Sequence, residues 1–123
     1  MFATNSVFIG GRLTREPEHK LITLKNGDQR ALVQFAIAQN YGQDKTSFFE
    51  VKLFGRPATA AWQRHEDGEL EKGSPVLVQG RIDQESWETD EGEPRNRHVI
   101  TAEKIEICVA TKPREQKEQS VPI

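Results

Sequence analysis

Residues 46–55 constrain the fold most, because apolar and polar side chains alternate there with the period of a β-strand. One side carries three apolar residues suited to a core, Phe49, Val51 and Leu53. The other side combines two aromatic rings with two charges, on Phe48, Glu50, Lys52 and Phe54. An unpaired ion is costly to bury, so this second face is predicted to meet solvent, with its two rings side by side.

Two exposed rings beside a cation suit a ligand that has flat rings and a negative backbone, which describes single-stranded nucleic acid. An alternative is that Phe48 and Phe54 pack beneath a loop or against a partner subunit. The strand by itself leaves both interpretations open.

The same alternation predicts strands at residues 6–14, 19–25, 30–39, 76–82 and 97–107. Asn26 and Gly27 form a dipeptide typical of a tight hairpin turn. Pro57 favours the first turn of a helix that continues to Arg64. This order predicts an all-β OB-fold, a five-stranded Greek-key barrel with one α-helix between strands 3 and 4. Barrels of this kind commonly bind oligonucleotides.

We assign this domain to residues 1–108. Residues 109–123 are polar with little to bury, which predicts a disordered C-terminal tail. Trp62 lies on the predicted helix, where we expect it to pack against the end of the barrel rather than contact a ligand.

The 123 residues are one domain's worth of chain. The single cysteine, Cys108, excludes an intrachain disulfide and fits a reducing compartment. No apolar run approaches the ~20 residues that span a bilayer, and residues 1–6 lack the features of a signal peptide. We therefore expect a cytoplasmic protein with no membrane partner.

Charge is distributed unevenly along the chain. The net charge is −2, but basic residues exceed acidic ones in residues 1–60, whereas acidic residues are in clear excess in residues 61–110. A nucleic-acid surface should therefore draw its cations mainly from the first half, and its affinity should fall as salt rises.

The sequence lacks recognisable catalytic chemistry. It has no phosphate-binding loop, no nucleophile motif and no zinc-protease motif, and its three histidines are scattered. Asp67, Glu69 and Glu71 are interpreted as a solvated charge run rather than a cation site. We predict no cofactor, no metal and no enzymatic activity.

Four segments in one colinear order resemble the bacterial single-stranded DNA-binding proteins. They are residues 5–18 (NSVFIGGRLTREPE), 51–56 (VKLFGR), 71–82 (EKGSPVLVQGRI), and Trp87 followed by an acidic turn and Arg97–His98. The resemblance implies a homotetramer that coats and protects single-stranded DNA without sequence specificity. It also implies a role in DNA replication, recombination and repair, at the nucleoid.

The resemblance also implies which residues contact DNA. Phe48, Phe54 and Trp87 match positions at which the family stacks bases, and Tyr41 lies near a loop tryptophan of the family. The basic candidates for phosphate contact are Arg12, Arg15, Lys52, Arg56, Lys72 and Arg81. For each of these six, an ordinary solvated charge is the alternative.

Two departures from the family favour a second hypothesis. Asp83 and Glu85 share a strand face with Trp87, where many relatives carry basic residues. The end of the chain, residues 120–123, follows no acidic run, although the family usually recruits replication and repair proteins through an acidic terminal peptide. The alternative is an OB-fold adaptor similar to primosomal replication protein n, which would bind mainly other replication proteins.

Overall fold

The computed structural model describes residues 2–42 and 44–108. The elements in chain order are β1 (Val7–Leu13), β2 (Glu18–Thr23), β3 (Gln29–Tyr41), β4 (Lys45–Phe54), α1 (Arg56–Glu66), β5 (Pro75–Glu88) and β6 (Pro94–Ile107). The predicted tail at residues 109–123 lies outside the described residues, as does the side chain of Tyr41.

The strands close into a ring of five positions. β1 pairs with β5, β5 with β6, β6 with β4, β4 with β3, and β3 returns to β1. β2 pairs with the first half of β3, from Gln29 to Gln34, whereas β1 pairs with the same strand further along, at Ile37 and Ala38. β1 and β2 are therefore two parts of one barrel strand, which confirms the predicted five-stranded barrel with its helix after the third position.

Two of the ladders that close the ring are short. β4 and β6 run parallel and are paired at Val51↔Ile100 and Lys52↔Thr101. β1 and β3 are paired at Arg12↔Ala38 and Leu13↔Ile37. The other ladders of the ring are much longer, since β3 and β4 pair from Leu32↔Phe54 to Tyr41↔Lys45.

The core lies inside the barrel and follows the predicted alternation. Its most buried side chains include Val33, Phe35 and Ile37 of β3, with Val51 and Leu53 of β4, and each of these five is at most 1% exposed. This burial confirms which face of the β4 stretch points inward.

Helix α1 covers one end of the barrel. Its Ala58 and Ala61 are buried, and Trp62 packs against the core, as predicted. The Trp62 ring also stacks on His19 of β2 at 4.9 Å between ring centroids and contacts His65 one turn further along the helix. Trp62 is therefore a packing residue.

A bulge between Gln79 and Gly80 shifts the register of β5 against β6. A Cβ at Gly80 would lie 2.1 Å from the carbonyl oxygen of Thr101, so the two backbones can approach this closely only at a glycine. Beyond Asp83, the described partners of β5 are all residues of β6, as far as Glu88↔Pro94. The hairpin thus continues past the barrel and carries Trp87 near its end.

Candidate nucleic-acid interface

The outer face of β4 carries the two phenylalanines that the sequence placed there. Phe48 is 68% exposed, while Phe54 is partly buried. Both rings are outside the barrel, but the expectation that they stand side by side is wrong. They are six positions apart along an extended strand, roughly 20 Å at ~3.3 Å per residue. One face of the strand therefore offers two separate aromatic positions.

The outer face also has an apolar floor. Leu32 and Val99 are 6% and 2% exposed, yet neither belongs to the core cluster inside the barrel. Leu32 lies opposite Phe54 and Val99 lies opposite Asp83, and directly paired residues project to the same side of a sheet. Apolar side chains are therefore covered here by the aromatic and charged groups of the outer face.

Four side chains converge where the hairpin leaves the barrel. The guanidinium carbon of Arg97 lies 5.8 Å from the centroid of the Trp87 ring. The Glu85 carboxylate accepts a hydrogen bond of 3.2 Å from Arg97 Nε and another from Lys52 Nζ. Together with Ser86 these residues line an open cavity. We call Lys52, Glu85, Trp87 and Arg97 the hairpin cluster.

The hairpin cluster holds Glu85 in its charged form. The hydrogen bond from Lys52 lowers the pKa of Glu85 below its ordinary value; partial burial opposes that effect, and the hydrogen bond and charge of Arg97 reinforce it. At neutral pH the carboxylate is therefore ionised, and one anion engages two cations.

Other cations on this side of the barrel are also paired. Arg15 donates to Glu50 at 2.8 Å, and Arg81 lies 3.2 Å from Asp83. Three of the predicted phosphate contacts, including Lys52, are thus engaged by carboxylates. As the sequence indicated, Asp83 and Glu85 add negative charge to this surface.

The remaining basic candidates are more dispersed. Arg12 donates to the carbonyl of Gly73 at 2.9 Å, and it borders, with Lys72, a cleft beside the loop that connects α1 to β5. Arg56 is exposed at the start of α1, two residues after Phe54. Within residues 2–42 and 44–108, neither Arg56 nor Lys72 forms an ion pair.

Arg97 is the cation of the hairpin cluster that was not predicted as a contact. It lies directly opposite Glu85 in the β5–β6 ladder. This position could have been predicted from the sequence. A hairpin that pairs Glu88 with Pro94 across its turn also pairs Glu85 with Arg97. The ion pair to Lys52 has no such local signal, because Lys52 and Glu85 are 33 residues apart.

No helix in the described part of the chain is long and apolar enough to cross a membrane. Among the same residues, no group of three or more His, Cys, Asp or Glu side chains could hold a metal ion.

Comparison with known proteins identifies the family. Residues 4–108 match the Single-strand binding protein family. The single-stranded DNA-binding protein of Helicobacter hepaticus is 38% identical over 109 residues, which cover 84% of this chain and 60% of the relative. That of Helicobacter pylori is 35% identical over 84% of this chain and 57% of the relative.

The chain thus spans about three fifths of the length of these two relatives. It spans more of the single-stranded DNA-binding protein of Aquifex aeolicus, which is 35% identical over 96% of this chain and 81% of the relative. The match covers every strand and the helix of the barrel, and the chain therefore belongs to the Single-strand binding protein family.

Proposed function

We propose that this chain binds single-stranded DNA without sequence preference and coats it during replication, recombination and repair. Phe48, Phe54 and Trp87 stack on bases, and lysine and arginine side chains contact phosphates. The proposal needs no catalytic residue and no cofactor.

The observation that carries this proposal is the outer surface of the barrel and hairpin. Phe48 and Trp87 are 68% and 48% exposed, although large rings are normally buried. Stacking on bases explains their exposure, because every base has a flat face that an aromatic ring can cover. Membership of the family, and relatives named for binding single-stranded DNA, support the same function.

Tryptophan fluorescence tests the proposed surface, because the chain has two tryptophans in different surroundings. Trp87 is exposed on the hairpin, whereas Trp62, on helix α1, packs against the core. Oligo-dT should quench the emission of Trp62→Phe, in which Trp87 is the only reporter. It should leave the emission of Trp87→Phe nearly unchanged. The opposite pattern would contradict the assigned surface.

The six basic candidates enter the proposal in two groups. Arg15, Lys52 and Arg81 lie on the outer face of the barrel, where each must exchange a carboxylate for a phosphate. Arg12, Arg56 and Lys72 lie at its margins and extend the possible path of the strand. Tyr41 stays a predicted contact.

The other expectations about the whole protein also stay proposals. We expect a homotetramer, as the family resemblance implies, and action at the nucleoid in the bacterial cytoplasm, where the DNA is. Residues 109–123 stay a predicted disordered tail. Recruitment of replication and repair proteins also stays a proposal.

The adaptor hypothesis receives no better support from the structure or the relatives. A titration at two salt concentrations separates it from DNA coating. Coating predicts tight binding of oligo-dT that weakens steeply with salt, because phosphate contacts release counterions. An adaptor predicts almost no binding at moderate salt.

A further inference from the structure

The hairpin cluster has the arrangement expected of a nucleotide site, but a carboxylate lies where a phosphate would bind. A nucleotide presents a flat base and a phosphate close together. The cluster presents the Trp87 ring with Arg97 5.8 Å from its centroid, and Lys52 on the other side of Glu85. The carboxylate of Glu85 occupies the position between the two cations.

We propose that Glu85 acts as an internal competitor of DNA phosphate at a nucleotide subsite formed by Trp87, Lys52 and Arg97. This inference rests on the proposed function. When a base stacks on Trp87, its phosphate takes the two cations, and Glu85 must give them up.

The partial burial of the Lys52–Glu85 ion pair supports competition between Glu85 and DNA phosphate. The side chains of Lys52 and Glu85 are 15% and 31% exposed, so their ion pair is shielded from water more than a typical surface pair. Shielded charges attract more strongly than solvated ones. A phosphate must therefore displace a formed ion pair, and the displaced carboxylate stays close to the polyanion.

Glu85 differs from the other carboxylates of the outer face. Glu50 pairs with Arg15 and Asp83 pairs with Arg81, so each of those anions holds one cation. Glu85 holds two cations and lines the cavity beside an exposed aromatic ring. Only Glu85, among the described residues, combines these features.

The test is the salt dependence of oligo-dT binding by Glu85→Gln, which keeps the shape of the side chain and removes its charge. Binding at low salt should tighten by up to about fivefold, because the free energy of an ion pair of this kind limits the gain in affinity. The slope of log affinity against log salt should steepen by about 0.7, because no displaced carboxylate then takes up a cation and offsets one released from the DNA.

Glu88→Gln is the matched control. It removes the same charge from the same strand three residues away, but Glu88 points to the other face and has no ion pair among the described residues. The slope for this variant should equal that of the unmodified chain. Adding Lys52→Met to Glu85→Gln should return the slope to the unmodified value, because Arg97 is then the one cation of the cluster left to contact phosphate.

Equal slopes for Glu85→Gln and Glu88→Gln would overturn the inference, since Glu85 would then act only through net charge. That result, with quenching of Trp87 intact, would leave the proposed DNA-binding function standing. Absence of any binding by the unmodified chain would instead overturn the proposed function. Glu85→Thr, an uncharged residue that favours strands, repeats the test if Glu85→Gln folds poorly.

Discussion

Phe48 and Phe54 place two well-separated aromatic rings on one face of β4. The rings are six positions apart, roughly 20 Å of strand, so a DNA strand that contacts both rings must pass along β4. Phe54 rests beside the buried Leu32, whereas Phe48 is the more exposed of the two rings. Phe54 should therefore contribute more to the stability of the fold than Phe48. Both rings should contact DNA in the same way, by stacking on a base.

Truncation of either ring should weaken DNA binding. Phe48→Ala and Phe54→Ala should each cost about 1–3 kcal/mol of binding free energy for a stacked base, a magnitude measured on proteins of this class rather than derived from this chain. Leu21→Ala is the control, because Leu21 is 60% exposed but pairs with Ala31 on the other face of the sheet. Equal affinity for all three variants, measured by titration with oligo-dT, would contradict the stacking role.

The ion pairs of Glu85 should make stability depend on pH. Its pKa is lowered in the folded chain by Lys52 first and by Arg97 as well. The pairs therefore stabilise the fold above the unfolded pKa, about 4.3, and this contribution is lost as the pH falls through the lowered value.

Denaturant unfolding at a series of pH values measures this effect. The difference in unfolding free energy between the unmodified chain and Glu85→Gln should be constant from pH 6 to 8 and should shrink below about pH 4. A difference that stayed the same at low pH would show that the carboxylate charge is not responsible.

At the residue scale the sequence predicted positions better than partners. Alternation placed Val51 and Leu53 inside and Phe48 outside, because a strand has only two faces. It could not show that Lys52 meets Glu85, since that contact depends on how the hairpin curves over β4. Arg97 was missed for a related reason, because its partner Glu85 lies on the neighbouring strand β5.

At the scale of elements, the break between β1 and β2 was the hardest feature to interpret. The pattern indicated two runs separated by Arg15, Glu16 and Pro17, without showing that both pair along β3. Pairing of distant segments fixes that arrangement, and no local propensity encodes it. The helix was easier, because Pro57 and the alanines after it are local signals, and α1 indeed runs Arg56–Glu66.

Gly80 should be the least replaceable residue of the β5–β6 hairpin. Gly80→Ala places a Cβ 2.1 Å from the Thr101 carbonyl oxygen and 2.8 Å from the Ala102 Cα. Relieving this overlap requires the backbone to move, which typically costs 1–3 kcal/mol.

Gly10→Ala provides the comparison within the same sheet. Its Cβ would meet the end of the Leu77 side chain at 3.0 Å, and that side chain can rotate away. Thermal or denaturant unfolding should show a clearly larger loss for Gly80→Ala. Similar losses for both variants would indicate that the bulge tolerates a side chain.

At the scale of the whole molecule, the exposed apolar residues are consistent with assembly. Phe8 is 70% exposed on β1, and it borders a shallow cavity with Leu77 of β5. This surface is distinct from the hairpin cluster, so assembly and DNA binding can use different parts of the barrel.

The proposed homotetramer predicts a light-scattering mass four times the 14.0 kDa of the chain. Phe8→Asp replaces an exposed apolar ring with a charge and should lower that mass while the chain stays folded. Leu21→Ala again serves as the control and should leave the mass unchanged. A monomer mass for the unmodified chain would remove the tetramer from the proposal.

The two short ladders that close the ring have a consequence for misfolding. If the pairs between β1 and β3 separate, the barrel becomes an open six-stranded sheet with β1 and β2 at its edges. Unpaired edges add strands from other chains. Aggregation under mild heating should therefore begin from this opened sheet, before the longer ladders melt.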